Sequence, residues 1–235
     1  MTILITRPEP EGQATAERLA TLGLQSVVAP VLTISATHQT APLASYHAAL
    51  ATSANALRLM EPRLRRRLVN TPIYCVGEKT ANAACAQGFH DIHTADGDGK
   101  SLAHLVLKDF PHTAQFLYLT GTPRKPHLED ELQAAGANLV AVDLYRSEPV
   151  SDWPNATKRA VQHVTQILHY SRASADAFLA LISNDEFIVK LRDAKHLCLS
   201  DDVAISLRNE GLKSILVAAK PNEAALFDLI DRKDL

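Results

Sequence analysis

The stretch Asn138–Pro149, NLVAVDLYRSEP, sets the strongest limit on how this chain can fold. Gly136 stops the helix before it, and Leu139, Val140 and Val142 favour extended backbone. The run then outlasts an ordinary strand, turning polar at Tyr145, Arg146 and Ser147 before Glu148-Pro149 ends it. A strand that outruns its sheet and becomes polar suits a crossing between domains. One earlier run fits as its partner: PVLTIS at 30–35, which follows a complete strand and leads into the linker ATHQTAP at 36–42. If the two pair, the chain leaves one domain near residue 33, builds a second, and returns near 147.

The rest of the chain repeats one grammar around that pair. Strands at 3–5 and 26–29 flank a helix opened by Pro8 and Pro10, with Ala14, Leu19 and Leu22 on its buried face and Gly23 as its stop. Strands at 48–51, 73–76, 91–94 and 116–119, with the start of the 138–149 run, alternate with helices at 54–60, 80–87, 102–108 and 128–135. Between them, 96–100 reads as a loop and 120–123 as a turn. After Pro149 come strands at 165–169, 197–199 and 215–217, and helices at 173–181, 185–192 and 203–209. Ser200-Asp201 caps the third of these helices and Asn222 caps a final one. Strand–helix–strand units of this kind imply parallel sheets with right-handed crossovers.

The predicted fold is therefore α/β: two doubly wound, mostly parallel-sheet domains, one inserted in the other and joined by a two-stranded connector. The outer domain takes 1–32 plus 148–235, the inserted one 38–141, and the connector 33–37 and 142–147. An internal repeat supports two related domains. CVGEKTANAACAQGFHDIHTA from Cys75 and CLSDDVAISLRNEGLKSILVA from Cys198 align without a gap, matching cysteine to cysteine and Gly88 to Gly211. Upstream, ALATSANAL and LHYSRASADAF form a weaker pair.

Composition narrows the function classes. With 235 residues and 46% of them apolar, the chain can bury two cores. A formal charge of -2 offers no general attraction to nucleic acid or an anionic membrane, and no apolar run reaches membrane-spanning length. Three scattered cysteines and a start without a signal sequence fit a reduced, cytoplasmic protein, expected as a monomer.

Ligands of doubly wound sheets bind beyond the carboxyl ends of the strands. There the chain puts Thr6, Arg7, Thr52, Ser53, Gly77, Thr120, Gly121, Ser171, Arg172, Ser174 and Ser200. Small hydroxyls and glycines that open helices turn backbone N–H groups and helix dipoles towards a ligand carrying anionic groups. The same residues are also good helix caps, and each alone is read as a cap first. The functional reading rests on their number and on Arg7, Arg124 and Arg172 beside them.

Other motifs weigh less. GDGKS at 97–101 lacks the first glycine of a phosphate loop, no dinucleotide fingerprint follows a strand, and His90 and His93 point to opposite strand faces, so neither cofactor nor metal is expected. Cys75 and Cys198 read as small core residues. Arg63 to Arg67 read as a solvated helix face, with a small site for an acidic partner as the second reading.

With these segments in place, the chain resembles the uroporphyrinogen-III synthase family along nearly its whole length. The resemblance is carried, in order, by ILITRPEPEG, PVLTI, ALATSANAL, VGEKTANAACAQGF, FLYLTGTPRKPHLEDELQAAGANL, VDLYRSEP, ILHYSRASADAF and VAAKPNEAAL. It implies a cofactor-independent enzyme of haem and tetrapyrrole synthesis. Its substrate would be hydroxymethylbilane, a linear tetrapyrrole with acetate and propionate side chains. Water leaves, ring D attacks through its substituted position, and a spiro intermediate rearranges to uroporphyrinogen III with ring D inverted. The resemblance further implies a transient hand-over of substrate from porphobilinogen deaminase.

Tyr145 matches the family's tyrosine on the returning connector, either as donor to the departing hydroxyl or as a ring packed between domains. One departure stands out. Where the family has a glycine and threonines after the penultimate strand, this chain has Leu199-Ser200-Asp201-Asp202-Val203, an acidic pair ill suited to close contact with an anionic substrate. Two other classes share the residue pattern: a two-domain binding protein that closes on a small polyanion without reacting it, and an inactive paralogue.

Overall fold

A computed structural model describes residues 1–111, 113–183 and 188–231. The chain opens with β1 (Thr2–Ile5), α1 (Glu11–Thr21) and β2 (Ser26–Val28), followed by β3 (Leu32–Ala36). Next come β4 (Ala48–Ala51), α2 (Ala54–Arg58), α3 (Pro62–Leu68), β5 (Ile73–Val76), α4 (Gly77–Ala86), β6 (Ile92–Ala95) and α5 (Gly99–Asp109). Then β7 (Gln115–Thr122), α6 (His127–Ala134) and the twelve-residue β8 (Asn138–Pro149) lead to α7 (Asn155–Ala160). The last part holds β9 (Val164–His169), α8 (Arg172–Ser183), β10 (Lys195–Cys198), α9 (Asp201–Asn209), β11 (Ile215–Val217) and α10 (Glu223–Phe227).

The chain divides into two compact units, Met1–Ile34 with Glu148–Leu235, and Ser35–Ser147, so the divisions fall inside β3 and β8. Unit 1 has a five-stranded sheet in the order β11-β10-β9-β1-β2, every neighbouring pair parallel. Unit 2's sheet runs β3-β8-β7-β4-β5-β6, with parallel pairs from β8 through β6. β3 lies beside β8, which is the pairing that the two polar runs predicted, and it adds a sixth strand to the five read for this sheet. Among the described residues no helix is long and apolar enough to cross a membrane.

Strands covered on both faces must be apolar at nearly every position. In unit 2, Ala49, Ala51, Ile73, Cys75, Leu117 and Leu119 pack on one face, while Ala48, Leu50, Tyr74, Phe116 and Tyr118 pack on the other. Unit 1 splits the same way, with Ile3, Ile5, Leu168 and Leu197 opposite Leu4, Ile167 and Cys198. The internal repeat occupies equivalent places, β5-α4-β6 and β10-α9-β11. Gly88 (φ 90°) and Gly211 (φ 78°) each close their helix in the left-handed region, and the apolar residue after each, Phe89 or Leu212, is buried.

Four local readings are corrected. The predicted turn at 120–123 is strand as far as Thr122, because β7 stays paired with β8 to that residue. The loop at 96–100 is shorter, since Asp98 caps α5 and Gly99 already begins it. Leu22 is 43% exposed: α1 buries Gly12, Thr15 and Leu19, and Leu22 falls off that stripe as its C-cap. The helix expected at 185–192 lies partly outside the described residues; its described end is a 3-10 helix, Val189–Asp193.

Candidate active site

The geometry of unit 2 centres on where β7 meets β8. Their register runs evenly to Thr120 opposite Asp143, and then places Gly121 opposite Tyr145. One residue, Leu144, is therefore extra on β8, and such a bulge re-aims the side chain that follows it. Val140, Val142 and Leu144 face one core in alternation, and Tyr145 packs against that same core directly after Leu144. Its ring lies against the backbone of Gly121, where a Cβ would stand 2.3 Å from Tyr145 Cε1 and 2.4 Å from Cζ. No side chain larger than hydrogen fits there.

Burial pushes the Tyr145 hydroxyl above its ordinary range; the neighbouring Ser53 hydroxyl, which can donate to the phenol oxygen, pulls it down in part, and Tyr118 and Asp143 add to the rise. The phenol is accordingly protonated at neutral pH. The Ser53 hydroxyl is its hydrogen-bond partner, and either hydroxyl of that pair can donate to the other.

Ser53 caps α2, accepting from the Asn55 N–H at 3.3 Å. Thr52, one residue earlier, is joined to the hydroxyl of Tyr118 at 2.8 Å. The two consecutive hydroxyls after β4 thus stand beside two different phenols. Thr52, Ser53, Tyr118, Thr120 and Tyr145 line a cavity of about 380 Å³ with the 97–99 turn, Arg124, Lys125 and His127. That volume is at the small end of ligand pockets.

Most charge around this cavity is internally committed. Arg124 clasps Glu129 with two hydrogen bonds of 3.0 and 3.1 Å and reaches Asp143 at 2.6 Å. The Glu129 carboxylate in particular raises its affinity for its proton, so it is a fixed cation within a matched set. Asp98 accepts from the N–H groups of Lys100 and Ser101 at 2.9 and 3.2 Å, bonds that hold its carboxyl below the usual range. Lys125 has no ion pair among the described residues. What remains for a ligand is mainly donors, which suits an acceptor-rich, anionic molecule.

The cavity brings together Thr52, Ser53, Thr120 and Tyr145 from the sequence-derived set, with Gly121 beneath the tyrosine. Gly77 begins α4 at φ +71°, and its neighbour Val76 is the residue lining the cavity. Tyr118 escaped the sequence reading because FLYLTGT looks like uniform core strand. Its one signal is a phenol three residues before a glycine at the strand's carboxyl end.

In unit 1 the predicted residues are placed differently. Thr6 is fully buried, and its hydroxyl donates to the Leu168 carbonyl at 2.9 Å. Arg7 meets Glu223 and Thr15, each at 3.2 Å, and lies 4.0 Å from the ring centre of Tyr170. Ser171 donates to Ser174 at 2.9 Å and accepts from its N–H at 3.2 Å, as a cap of α8 does. Ser200 stands at the N-cap position of α9 without a side-chain capping bond. The acidic pair that follows is matched by cations: Arg172 is 3.6 Å from Asp202, and Arg208 is 3.1 Å from Asp201. Their place in the first turn of α9 also suits the helix dipole.

Comparison with known proteins adds the family context. The family model described as uroporphyrinogen-III synthase HemD matches residues 13–228. Among solved structures, the uroporphyrinogen-III synthetase of Helicobacter pylori is similar with a TM-score of 0.68 at 19% identity, 97% of each chain being covered. A mutant uroporphyrinogen III synthase from Thermus thermophilus is similar with a TM-score of 0.58 at 17% identity, covering 97% of this chain and 96% of that one. These two likenesses support the two-unit α/β fold. A search of curated proteins found no match.

Proposed function

The chain belongs to the uroporphyrinogen-III synthase family, enzymes of tetrapyrrole synthesis, and on that premise we propose that Tyr145 is the proton donor of its cyclisation. The substrate is hydroxymethylbilane. Its hydroxymethyl end enters the unit 2 cavity, and the phenol gives its proton to the hydroxyl oxygen as the C–O bond breaks and water leaves. The lone pair of the adjoining pyrrole nitrogen stabilises the remaining methylene cation. Ring D attacks that carbon through its substituted position, the spiro intermediate rearranges, and the last proton lost from the macrocycle can return to the phenolate. Substrate minus water equals product, with no oxidant or net acid required.

The observation that carries this reading is the Tyr145 hydroxyl itself: a phenol kept in its protonated form and held above its ordinary range by burial, lining the cavity beside the Ser53 hydroxyl. Holding the linear chain in one curl and presenting preorganised donors each supply several kcal/mol of such a barrier. We take 1–32 plus 148–235 and 38–141 as the domains, with 33–37 and 142–147 as the connector that carries Tyr145. The proposed setting is a cytoplasmic monomer that receives hydroxymethylbilane from porphobilinogen deaminase. Turnover by Tyr145→Phe is the test. A fall of about a hundred-fold at unchanged melting temperature supports the donor role; wild-type turnover reduces Tyr145 to a packing residue.

A further inference from the structure

Tyr118 is a residue whose packing does not require its hydroxyl. The side chain is 2% exposed, sits in β7 opposite Leu50 of β4, and fills the core with Phe116 and Leu128, work that a phenylalanine would do equally well. Yet its oxygen reaches the cavity wall and meets the Thr52 hydroxyl at 2.8 Å. Two hydroxyls that share one hydrogen bond use one proton of their two, so the pair keeps one O–H uncommitted. A phenol is the stronger donor of the two, and Thr52 is the more exposed partner. The favoured order is therefore Tyr118 donating to Thr52, with the threonine proton directed into the cavity.

We propose that Tyr118 is a positioning residue: by donating to Thr52 it fixes and polarises the threonine hydroxyl, which then donates to a carboxylate oxygen of the substrate. This rests on the synthase reading above and adds to it a second donor point, distinct from the Tyr145 proton. Accepting a hydrogen bond makes a hydroxyl a better donor in turn, and a fixed rotor loses less freedom when substrate binds. The effect belongs to binding, so it appears in KM and not in the chemical step.

The experiment measures KM, kcat and melting temperature for wild type, Tyr118→Phe, Thr52→Val and the double variant, with hydroxymethylbilane generated in situ. Tyr118→Phe is expected to raise KM about three- to ten-fold, the size of one hydrogen bond, with kcat within about two-fold of wild type. The double variant is expected to be no worse than Thr52→Val alone, and Thr52→Ser to keep the wild-type KM. An unchanged KM in Tyr118→Phe, or strictly additive losses in the double variant, overturns the inference. So does a loss that tracks melting temperature. These outcomes require a wild type that forms the type III isomer; a folded wild type that forms only type I overturns the functional reading itself.

Discussion

Tyr145 rests on Gly121: the two residues face each other across β7 and β8, and a Cβ at 121 would lie 2.3 Å from the tyrosine ring. Ring position and glycine identity are therefore one property. Gly121→Ala must move the ring or the strand, because both contacting atoms belong to a ring wedged against core. The expected result is a turnover loss at least as large as that of Tyr145→Phe, with about 1–3 kcal/mol of stability lost to overpacking. Steady-state turnover and chemical denaturation check it together; a Gly121→Ala enzyme with wild-type turnover would separate the glycine from the tyrosine.

A second prediction concerns acid. His169 and His196 are both fully buried, on adjacent strands β9 and β10, with His169 Nε2 3.0 Å from His196 Nδ1. His196 Nε2 meets the Arg192 carbonyl at 3.3 Å, so the neutral tautomers run His169 to His196 to Arg192, leaving His169 Nδ1 as a buried acceptor with no partner among the described residues. Burial drives both below 6.5, His196 to about 4 and His169 well down, with the neighbouring imidazole adding to the fall for His169. The unfolded chain then binds protons that the folded chain refuses. Stability is accordingly full above about pH 6.5 and falls as pH drops, the His196 part levelling off below about 4, for about 3 kcal/mol from that residue alone. Melting temperatures between pH 7 and 4 test this, and His196→Gln should flatten the slope.

The third prediction separates folding from catalysis in unit 1. Glu223 accepts from Thr15 at 2.8 Å and Tyr170 at 2.7 Å, and pairs with Arg7 at 3.2 Å and Arg18 at 2.5 Å. Burial alone would raise its carboxyl, but the bonds from Tyr170, Arg18 and Thr15 outweigh it and hold the group below the usual range. Removing a hub that leaves two arginines and a half-buried phenol without their carboxylate costs about 2–4 kcal/mol. Glu223→Ala should therefore lower the denaturation midpoint clearly while KM and kcat, measured well below that midpoint, stay near wild type. A selective rise in KM would instead assign Arg7 to carboxylate docking.

Much of this architecture was legible because its signals are local. Gly23, Gly88, Gly136 and Gly211 each mark a helix end, and all four adopt positive φ. The long polar-ended β8 and its neighbour β3 were readable from where apolar character stops. The bulge at Leu144 was not, since VAVDLY alternates smoothly and a register shift depends on the partner strand. Gly121 and Pro123 misled for the same reason: in isolation they signal a turn, whereas here the glycine admits a ring and the strand continues to Thr122. Thr52 and Ser53 were found as helix-opening hydroxyls. Tyr118 was not, because a core strand hides a functional hydroxyl behind an apolar ring.

The central claim is that this chain directs hydroxymethylbilane to the inverted isomer with Tyr145 as donor. The direct measurement couples porphobilinogen deaminase to wild type and to Tyr145→Phe in parallel, oxidises the products and separates the porphyrin isomers. Without an active synthase the linear chain closes unaided to type I. The account predicts predominantly type III with wild type, and a shift towards type I with the folded Tyr145→Phe variant as unaided closure overtakes the slowed enzyme. Only type I from folded wild type would contradict the function; type III at wild-type rate from Tyr145→Phe would contradict the role of the tyrosine.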